Sequence, residues 1–300
     1  MDVLTLEHVS KSFGGRPVLD DLCFSVPQHC IYGFIGENGA GKTTTMKLIL
    51  GLLRSDSGLI RVLGEPVCFG SSRTNRSVGY LPDVPEFYDF LTPKEYLELC
   101  GRISGLTKSQ RQERIQKLLK LVGLDGAEKR IHGFSRGMKQ RLGIAQALLG
   151  EPQLLICDEP TSALDPVGRR EILDILADVR SQTTVLFSTH ILSDVERICD
   201  RIAVLRHGSI ALEGSLDEVG RLHRCKGLEI EFIHEADSLL FAEKHPASRP
   251  IGRQKVIFDA AGSADMTALM GALAVSGVDV QRIELLEPTL EDLFLEVMEK

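Results

Sequence analysis

In the first thirty positions, apolar residues alternate with polar ones: "VLTLEHV", then "LCFSV" after the turn "FGGRP". Both patterns predict short strands. "IYGFI" (31–35) is instead a continuous apolar run stopped by Gly36, which predicts a central strand. From Thr44 the period changes, with Met46, Ile49, Leu50 and Leu53 spaced as one face of a helix. "GLIRVLG" predicts a further strand. At Thr92, "TPKE" offers an N-cap, a proline at the first helical position and a glutamate to close a capping box. Ile115, Leu118, Leu119 and Val122 mark a second amphipathic helix, ended by Gly123. Helix 136–149 then leads to the strand "QLLIC", and helix 167–180 to the strand "TTVLFS". Such alternation predicts an α/β fold, a parallel or mixed sheet with flanking helices.

The texture changes after about residue 216. "GLEIEFI", "KVIFDA" and "VDVQRIEL" predict strands around a helix near 265–275. "PTLEDLFLEVMEK" predicts a closing helix, with Thr289 as cap, Asp292 at the box position, and Leu290, Leu293, Phe294 and Val297 on one face. The expected organisation is a large domain over 1–220, with a helical subdomain at about 90–150, and a small α+β appendage over 221–300.

Composition narrows this picture modestly. With 43% hydrophobic and 26% charged residues, the 300-residue chain is that of an ordinary globular protein. A formal charge of -7 argues against a general nucleic-acid binder, although Arg136, Lys139 and Arg141 form a local basic patch. The seven cysteines are odd in number, far apart and without C-x-x-C spacing, which predicts reduced thiols filling core space in a cytosolic protein. No leader is expected ahead of the first strand, and no apolar run approaches the ~20 residues of a membrane span. Any spanning part is expected on another chain.

Two stretches carry chemistry. "GENGAGKTT" supplies Gly36, Glu37, Asn38, Gly39, Ala40, Gly41, Lys42, Thr43 and Thr44 between a strand and a helix. This is the phosphate-cradling pattern G-x-x-x-x-G-K-[ST] in its required context. The glycines let backbone N–H groups face phosphates, and the helix N-terminus adds positive potential. Lys42 reaches the terminal phosphates, and the Thr43 hydroxyl is a ligand for Mg²⁺. The second stretch, "LLICDEPTSALD" (154–165), runs an apolar strand into adjacent acids. Unpaired buried charge is expensive, so the pair must meet a metal ion, a water to be activated or a basic partner. Beside a phosphate loop, Asp158 fits the Mg²⁺-holding acid, and Glu159 the group that orients an attacking water. Cys157 reads as core.

These motifs, with those that follow, resemble the ATP-binding subunits of ABC transporters over residues 3 to about 220. "FSRGMKQRL" (134–142) looks like the signature segment, "SALD" (162–165) like the D-loop, and "STH" ends in the switch histidine, His190. The resemblance implies a P-loop NTPase fold of the ABC type. It also implies that Ser135 and Gly137, at a second helix N-terminus, serve the nucleotide of a partner copy, so that two subunits sandwich two ATPs. His190 is then a contact to the γ-phosphate and water. Phe13 is either the aromatic on which adenine stacks or a plain core aromatic; Asp165 either organises the dimer seam or is a turn residue before Pro166. Two departures stand out. Asp83 occupies the place where the family usually has Gln, and either ligates Mg²⁺ or reaches it through water. Arg136 and Met138 replace the usual Gly and Gln, with Gly137 kept.

The tail "LEPTLEDLFLEV" resembles the endings of drug- and lipid-exporting members that partner ABC-2-type membrane subunits. The expectation is therefore an ATPase using ATP and Mg²⁺, peripheral at the cytoplasmic face of the cell membrane. It would dimerise with its own copy or a closely related subunit, and would not bind nucleic acid. The alternatives are a soluble ABC ATPase of translation or DNA repair, an ATP-dependent regulator and an importer subunit. The first usually carries two cassettes or a long coiled-coil insertion, and the intact acid–histidine set argues against the second. The tail and the absent Gln argue against the third.

Overall fold

A computed structural model describes residues 2–71, 73–222, 227–245, 248–258, 263–286, 290–291 and 293–294. Two compact units divide the chain, Met1–Leu216 and Asp217–Lys300.

The first unit opens with two long antiparallel strands, β1 (Asp2–Phe13) and β2 (Arg16–Pro27). The run "IYGFI" forms β3 (Ile31–Ile35), buried at every position as expected for a strand covered on both faces. Helix α1 (Lys42–Ile49) follows, beginning two residues earlier than the apolar period implies because Lys42 and Thr43 are themselves helical. β4 (Ser57–Val62) and the short β5 (Glu65–Pro66) extend the first sheet to the order β2-β1-β4-β5. β6 (Val78–Leu81) leads into α2 (Pro93–Ile103), where Thr92 and Glu95 form the expected capping box. α3 (Lys108–Leu121) has its own box from Thr107 and Gln110. α4 (Arg136–Leu148) and α2 and α3 pack together through Tyr96, Leu97, Ile115, Leu118 and Leu142, all buried.

β7 (Leu154–Asp158), α5 (Pro166–Val179), β8 (Thr184–Thr189), α6 (Leu192–Ile198), β9 (Arg201–Arg206) and β10 (Ser209–Ser215) complete the unit. The second sheet runs β10-β9-β3-β8-β7-β6, parallel throughout except for the antiparallel edge pair β9–β10. It is therefore the mixed sheet anticipated from the alternation. Val3, Leu4 and Phe24 of the first sheet share a core with Tyr32 and Phe34 of the second and Met46 of α1. Phe24 stacks on Phe34 at 5.2 Å between ring centroids. Gly79 on β6 allows α4 to approach, since a Cβ there would lie 2.3 Å from the Ala147 carbonyl oxygen. This contact brings the β6–α2 loop alongside α4.

Strand order decides where chemistry can occur. β6, β7, β8 and β3 are neighbours, and the loops leaving their carboxyl ends carry Asp83, Glu159, His190 and the glycine loop respectively. Ligands of open α/β sheets bind outside this edge.

Helix α7 (Leu216–Leu222) begins at the division between units. The second unit contains β11 (Gly227–Phe232), α8 (Glu235–Lys244), β12 (Ser248–Ile251), β13 (Lys255–Phe258), α9 (Ser263–Ser276) and β14 (Val280–Leu286). Its sheet, β12-β13-β11-β14, is antiparallel, with Leu228, Ile230, Phe232, Phe241, Val256, Leu269 and Leu273 as its core. Leu290 and Leu293 are buried and Phe294 is partly so. The expected cap Thr289, Asp292, Val297 and the thiol Cys225 lie outside the described residues.

The cysteines divide. Cys30, Cys157 and Cys199 are buried core thiols, whereas Cys23 and Cys68 are exposed and Cys100 intermediate. Core filling therefore accounts for only part of the set. The basic patch is also corrected: Arg136 pairs with Asp83 at 3.3 Å, Lys139 with Asp89 at 3.2 Å and Arg141 with Glu171 at 3.6 Å. Each cation meets an acid supplied by a neighbouring element, which sequence proximity alone hides.

Candidate active site

The glycine loop after β3 takes its form from two left-handed residues, Gly39 at φ 87 and Gly41 at φ 112. At Gly41 any side chain would also collide, because a Cβ would lie 2.7 Å from Leu19 Cδ2. Gly41 is the N-cap of α1, and neither a side-chain cap nor an acid occupies the first turn of that helix. The positive helix end is left open towards the loop, the condition for receiving an anion. Glu37 closes the loop internally by accepting from the Ala40 N–H at 3.2 Å. Gly36, Asn38, Thr43 and Thr44 complete the ring of backbone around it.

Lys42 is only 6% exposed and folds back along the loop. Its Nζ donates to the Gly36 carbonyl at 2.6 Å and the Glu37 carbonyl at 3.1 Å. It also lies 3.0 Å from Glu159 Oε1. That last contact is an ion pair by distance without hydrogen-bond alignment, since Glu159 Oε1 has no aligned donor. Glu159 Oε2 meets His190 Nδ1 at 2.8 Å. One carboxylate thus spans a lysine and a histidine.

Asp158, 2% exposed, accepts from Thr43 Oγ1 at 2.7 Å and from Ser188 Oγ at 2.7 Å. Ser188 in turn accepts from the Glu159 N–H at 3.0 Å. β8 therefore holds both acids of β7 through one hydroxyl. Glu159 adopts φ 47, a left-handed conformation uncommon outside glycine, which turns its side chain away from the strand direction. The question raised by "DEP" is answered locally: the acids meet Thr43, Ser188, Lys42 and His190. Cys157 beside them is buried, and burial drives its thiol far above the ordinary range, so it is an inert core residue.

Asp83 lies farther round this edge. Burial raises its carboxyl above the usual range; Arg136 opposes that shift, and the charges of Asp158 and Glu159 reinforce it. Its backbone carbonyl accepts from the buried Gln140 Nε2 at 2.5 Å. The loop is thereby fastened to α4 twice, by Arg136 and by Gln140. Ser135 caps α4, accepting from the Met138 N–H at 3.3 Å, and Gly137 follows in the first turn. Asp165 is the N-cap of α5, accepting from the Gly168 N–H at 3.3 Å, as a turn residue before Pro166 would. Phe13 is 46% exposed, which excludes the core-aromatic role; the Lys11 ammonium lies 5.3 Å from its ring centroid.

Sequence reasoning missed Ser188 and Gln140. Ser188 had a signal, a hydroxyl directly after the apolar run "VLF". Gln140 had one too, a polar residue on the helix face shared with Gly143, Ile144 and Ala147. Thr161 and Asp194 are buried and form a further network with the partly exposed Arg169: Thr161 Oγ1 donates to Asp194 at 2.7 Å, and Arg169 pairs with the same carboxylate.

The donor set fits a magnesium-bound triphosphate. Hard oxygen ligands from Thr43 and Asp158 stand together, as Mg²⁺ requires, beside an uncapped helix end and a lysine. Comparison with known proteins agrees. The ABC transporter profile matches residues 19–162, and that of the ATP-binding protein DrrA1-3-like C-terminal domain matches residues 214–298. The ABC transporter ATP-binding protein YxlF of Bacillus subtilis (strain 168) is 38% identical over 299 residues, covering 99% of each chain. The bacitracin transport ATP-binding protein BcrA of Bacillus licheniformis is 34% identical, over 99% of this chain and 97% of that one. The Nod factor export ATP-binding protein I of Rhizobium sp. (strain N33) is 38% identical over 76% of each. A solved ATP-binding subunit of an ABC transporter superposes with a TM-score of 0.67 at 34% identity, covering 73% of this chain and 92% of that structure.

Proposed function

The chain belongs to the ABC transporter ATP-binding proteins, a family of ATPases that work with membrane permeases, and on that premise we propose that it drives export through an ABC-2-type permease by ATP-dependent pairing of two copies. The observation that carries the chemistry is the position of Glu159, whose two carboxylate oxygens face Lys42 and His190.

The backbone N–H groups of Gly36–Thr44 and the open end of α1 hold the β- and γ-phosphates of ATP. Lys42 exchanges its carbonyl and Glu159 partners for phosphate oxygens. Thr43 and Asp158 would hold Mg²⁺, which when bound would neutralise the phosphate charge. Asp83, whose carboxyl lies in the field of Asp158, adds a ligand directly or through water. Glu159, freed from Lys42, accepts a hydrogen bond from the attacking water and aligns it. His190 keeps its hold on Glu159 and turns towards the γ-phosphate. Phosphoryl transfer passes through a loose transition state, so positioning and charge are the protein's main contributions. Phe13 supplies an exposed face for the adenine ring.

The partner copy completes the site with Ser135 and Gly137 at the first turn of its α4. Asp165, at the head of α5, shapes the seam between copies. Among the described residues no helix is long and apolar enough to cross a membrane; membership of a family that works with membrane permeases supports a peripheral position, at the cytoplasmic face where ATP is available. Val84, Tyr88 and Phe90 are exposed apolar residues on the loop that carries Asp83. They offer a contact through which a permease senses the nucleotide. The bacitracin and Nod factor relatives and the DrrA-like C-terminal match favour the exporter branch.

Sedimentation of Glu159→Gln with Mg²⁺ and ATP tests the pairing. A twofold rise in mass with ATP, lost when Ser135→Ala is added, is expected; an unchanged monomer refutes it. Co-purification with a multi-span membrane subunit, retained in high salt, tests the coupling.

A further inference from the structure

A second cluster of ligating side chains lies on the first sheet, in β1 and β2, and takes no part in the chemistry above. The two strands are bulged in succession. Leu6 pairs with Phe24 and Val9 with Leu22, which leaves Glu7 and His8 opposite Cys23 alone. Val9 pairs with Leu22 and Lys11 with Leu19, which leaves Ser10 opposite Asp20 and Asp21. His8 and Asp21 both take left-handed backbone, at φ 53 and φ 52, although neither is glycine. Bulges re-aim side chains, and paired left-handed residues at one spot are a conformational cost that the surrounding sheet must hold.

The outcome is a convergence of three different ligand types. His8 Nδ1 lies 2.8 Å from Asp21 Oδ1 and 3.6 Å from Cys23 Sγ. The ligand atoms of all three lie within 4.8 Å of one another, and among the described residues no other group of three or more His, Cys, Asp or Glu does so. Zinc bonds of about 2.05 Å to nitrogen and 2.3 Å to sulfur, at a tetrahedral angle, set an N···S separation of ~3.5 Å. The existing 3.6 Å already meets that requirement. The N···O contact must open by about 0.5 Å to reach its tetrahedral edge, a motion within the freedom of two exposed side chains. The His8 N–H donates to Cys23 Sγ at 3.1 Å, an outer contact of the kind that steadies a ligating thiolate.

We propose that His8, Asp21 and Cys23 form a binding site for a divalent transition metal of the zinc class, with water in the fourth position. The mixture of imidazole, carboxylate and thiolate selects such an ion over Mg²⁺ or Ca²⁺, which require oxygen. Binding displaces the thiol proton to solvent, and the sulfur lone pair forms the new bond; no electron is exchanged. Exposure of all three residues admits the ion without opening the fold.

Cobalt titration of the full chain, with Mg²⁺ saturating the oxygen-lined phosphate site, tests this directly. One equivalent of Co²⁺ is expected to give thiolate-to-cobalt charge-transfer absorption, displaced by Zn²⁺. Cys23→Ser should abolish the band, and His8→Ala should weaken binding at least about tenfold. Unchanged nucleotide binding by both variants reports that they fold. Absence of the band in the wild-type chain overturns the site, as does a band that survives Cys23→Ser, which would place the sulfur elsewhere, for example at exposed Cys68.

Discussion

Replacing Glu159 by Gln should make nucleotide bind more tightly at the same time as it stops turnover. Lys42 Nζ is 3.0 Å from Glu159 Oε1. At an effective dielectric of 20 that separation corresponds to about 5.5 kcal/mol of gross attraction. Most of this is offset by the cost of removing both charges from water. Because the pair lacks hydrogen-bond alignment, its net contribution falls below the ~1.5–3 kcal/mol of an aligned hydrogen bond to a charged group. Lys42 keeps its two carbonyl acceptors in the variant, so it is not orphaned. Glu159→Gln should therefore lower unfolding stability without nucleotide by up to about 1.5 kcal/mol.

The same term reappears in binding, because phosphate must take Lys42 from Glu159. Relief of that competition should tighten nucleotide affinity by roughly three- to tenfold, up to about 1.4 kcal/mol. ADP is the informative ligand: it engages Lys42 without a γ-phosphate and so separates this effect from ATP-driven pairing. Loss of the water-aligning carboxylate should slow phosphate release by about 10²–10⁴. Calorimetric titration with ADP, denaturant unfolding and a phosphate-release assay make up the measurement. If Glu159→Gln binds ADP no more tightly than the wild type and unfolds at the same denaturant midpoint, the Lys42–Glu159 pair is energetically idle and the reasoning fails.

Three further outcomes follow from the geometry. Phe13→Ala should lose about 1–3 kcal/mol of ATP affinity through lost stacking while leaving the unfolding midpoint unchanged, because the ring is already half exposed; equal ATP affinity in a fluorescence titration would remove Phe13 from the site. Gly41→Ala should lose nucleotide binding and about 1–3 kcal/mol of stability, since φ 112 and the Leu19 contact both resist a methyl group; a normal ATP titration would contradict the loop geometry. Asp83 has a raised carboxyl pKa, so the stability it contributes is present below its unfolded value and lost as pH rises through its folded value. Asp83→Asn lacks that loss and should gain on the wild type as pH rises across the acidic range, with Mg²⁺ and nucleotide reversing the sign; parallel pH–stability curves would show that Asp83 titrates as an ordinary surface acid.

Period and punctuation made much of the fold legible. "IYGFI" became β3 at the stated residues, and "TPKE" became a capped α2, because a run of buried residues and a capping box are local determinants. The glycine loop and the acid pair were equally local. Arg136 and Asp83 were read as separate departures, and they meet because Gly79 lets β6 and α4 approach, a contact between residues far apart in sequence. The role of Ser188 was missed for the same reason: its hydroxyl stands out in the sequence, but what it holds depends on β8 lying beside β7, which strand order alone decides. Phe13 was left between two roles, and its exposure rules out the core one.

The contacts within the site also show how so highly charged a cluster is held together. Lys42 and His190 each face one oxygen of Glu159, and Thr43 and Ser188 donate to Asp158, so both acids are partnered, although Glu159 Oε1 lacks an aligned donor. Such partnering follows from the penalty on buried unpaired charge. Each group is then occupied by a contact that nucleotide binding has to replace: phosphate for Glu159 at Lys42, and metal for the Thr43 proton at Asp158. Glu159 gains freedom to hold water only after Lys42 has left it. On the proposed roles of Lys42 and Glu159, hydrolytic geometry would be conditional on phosphate already being bound, which would tie water activation to occupancy.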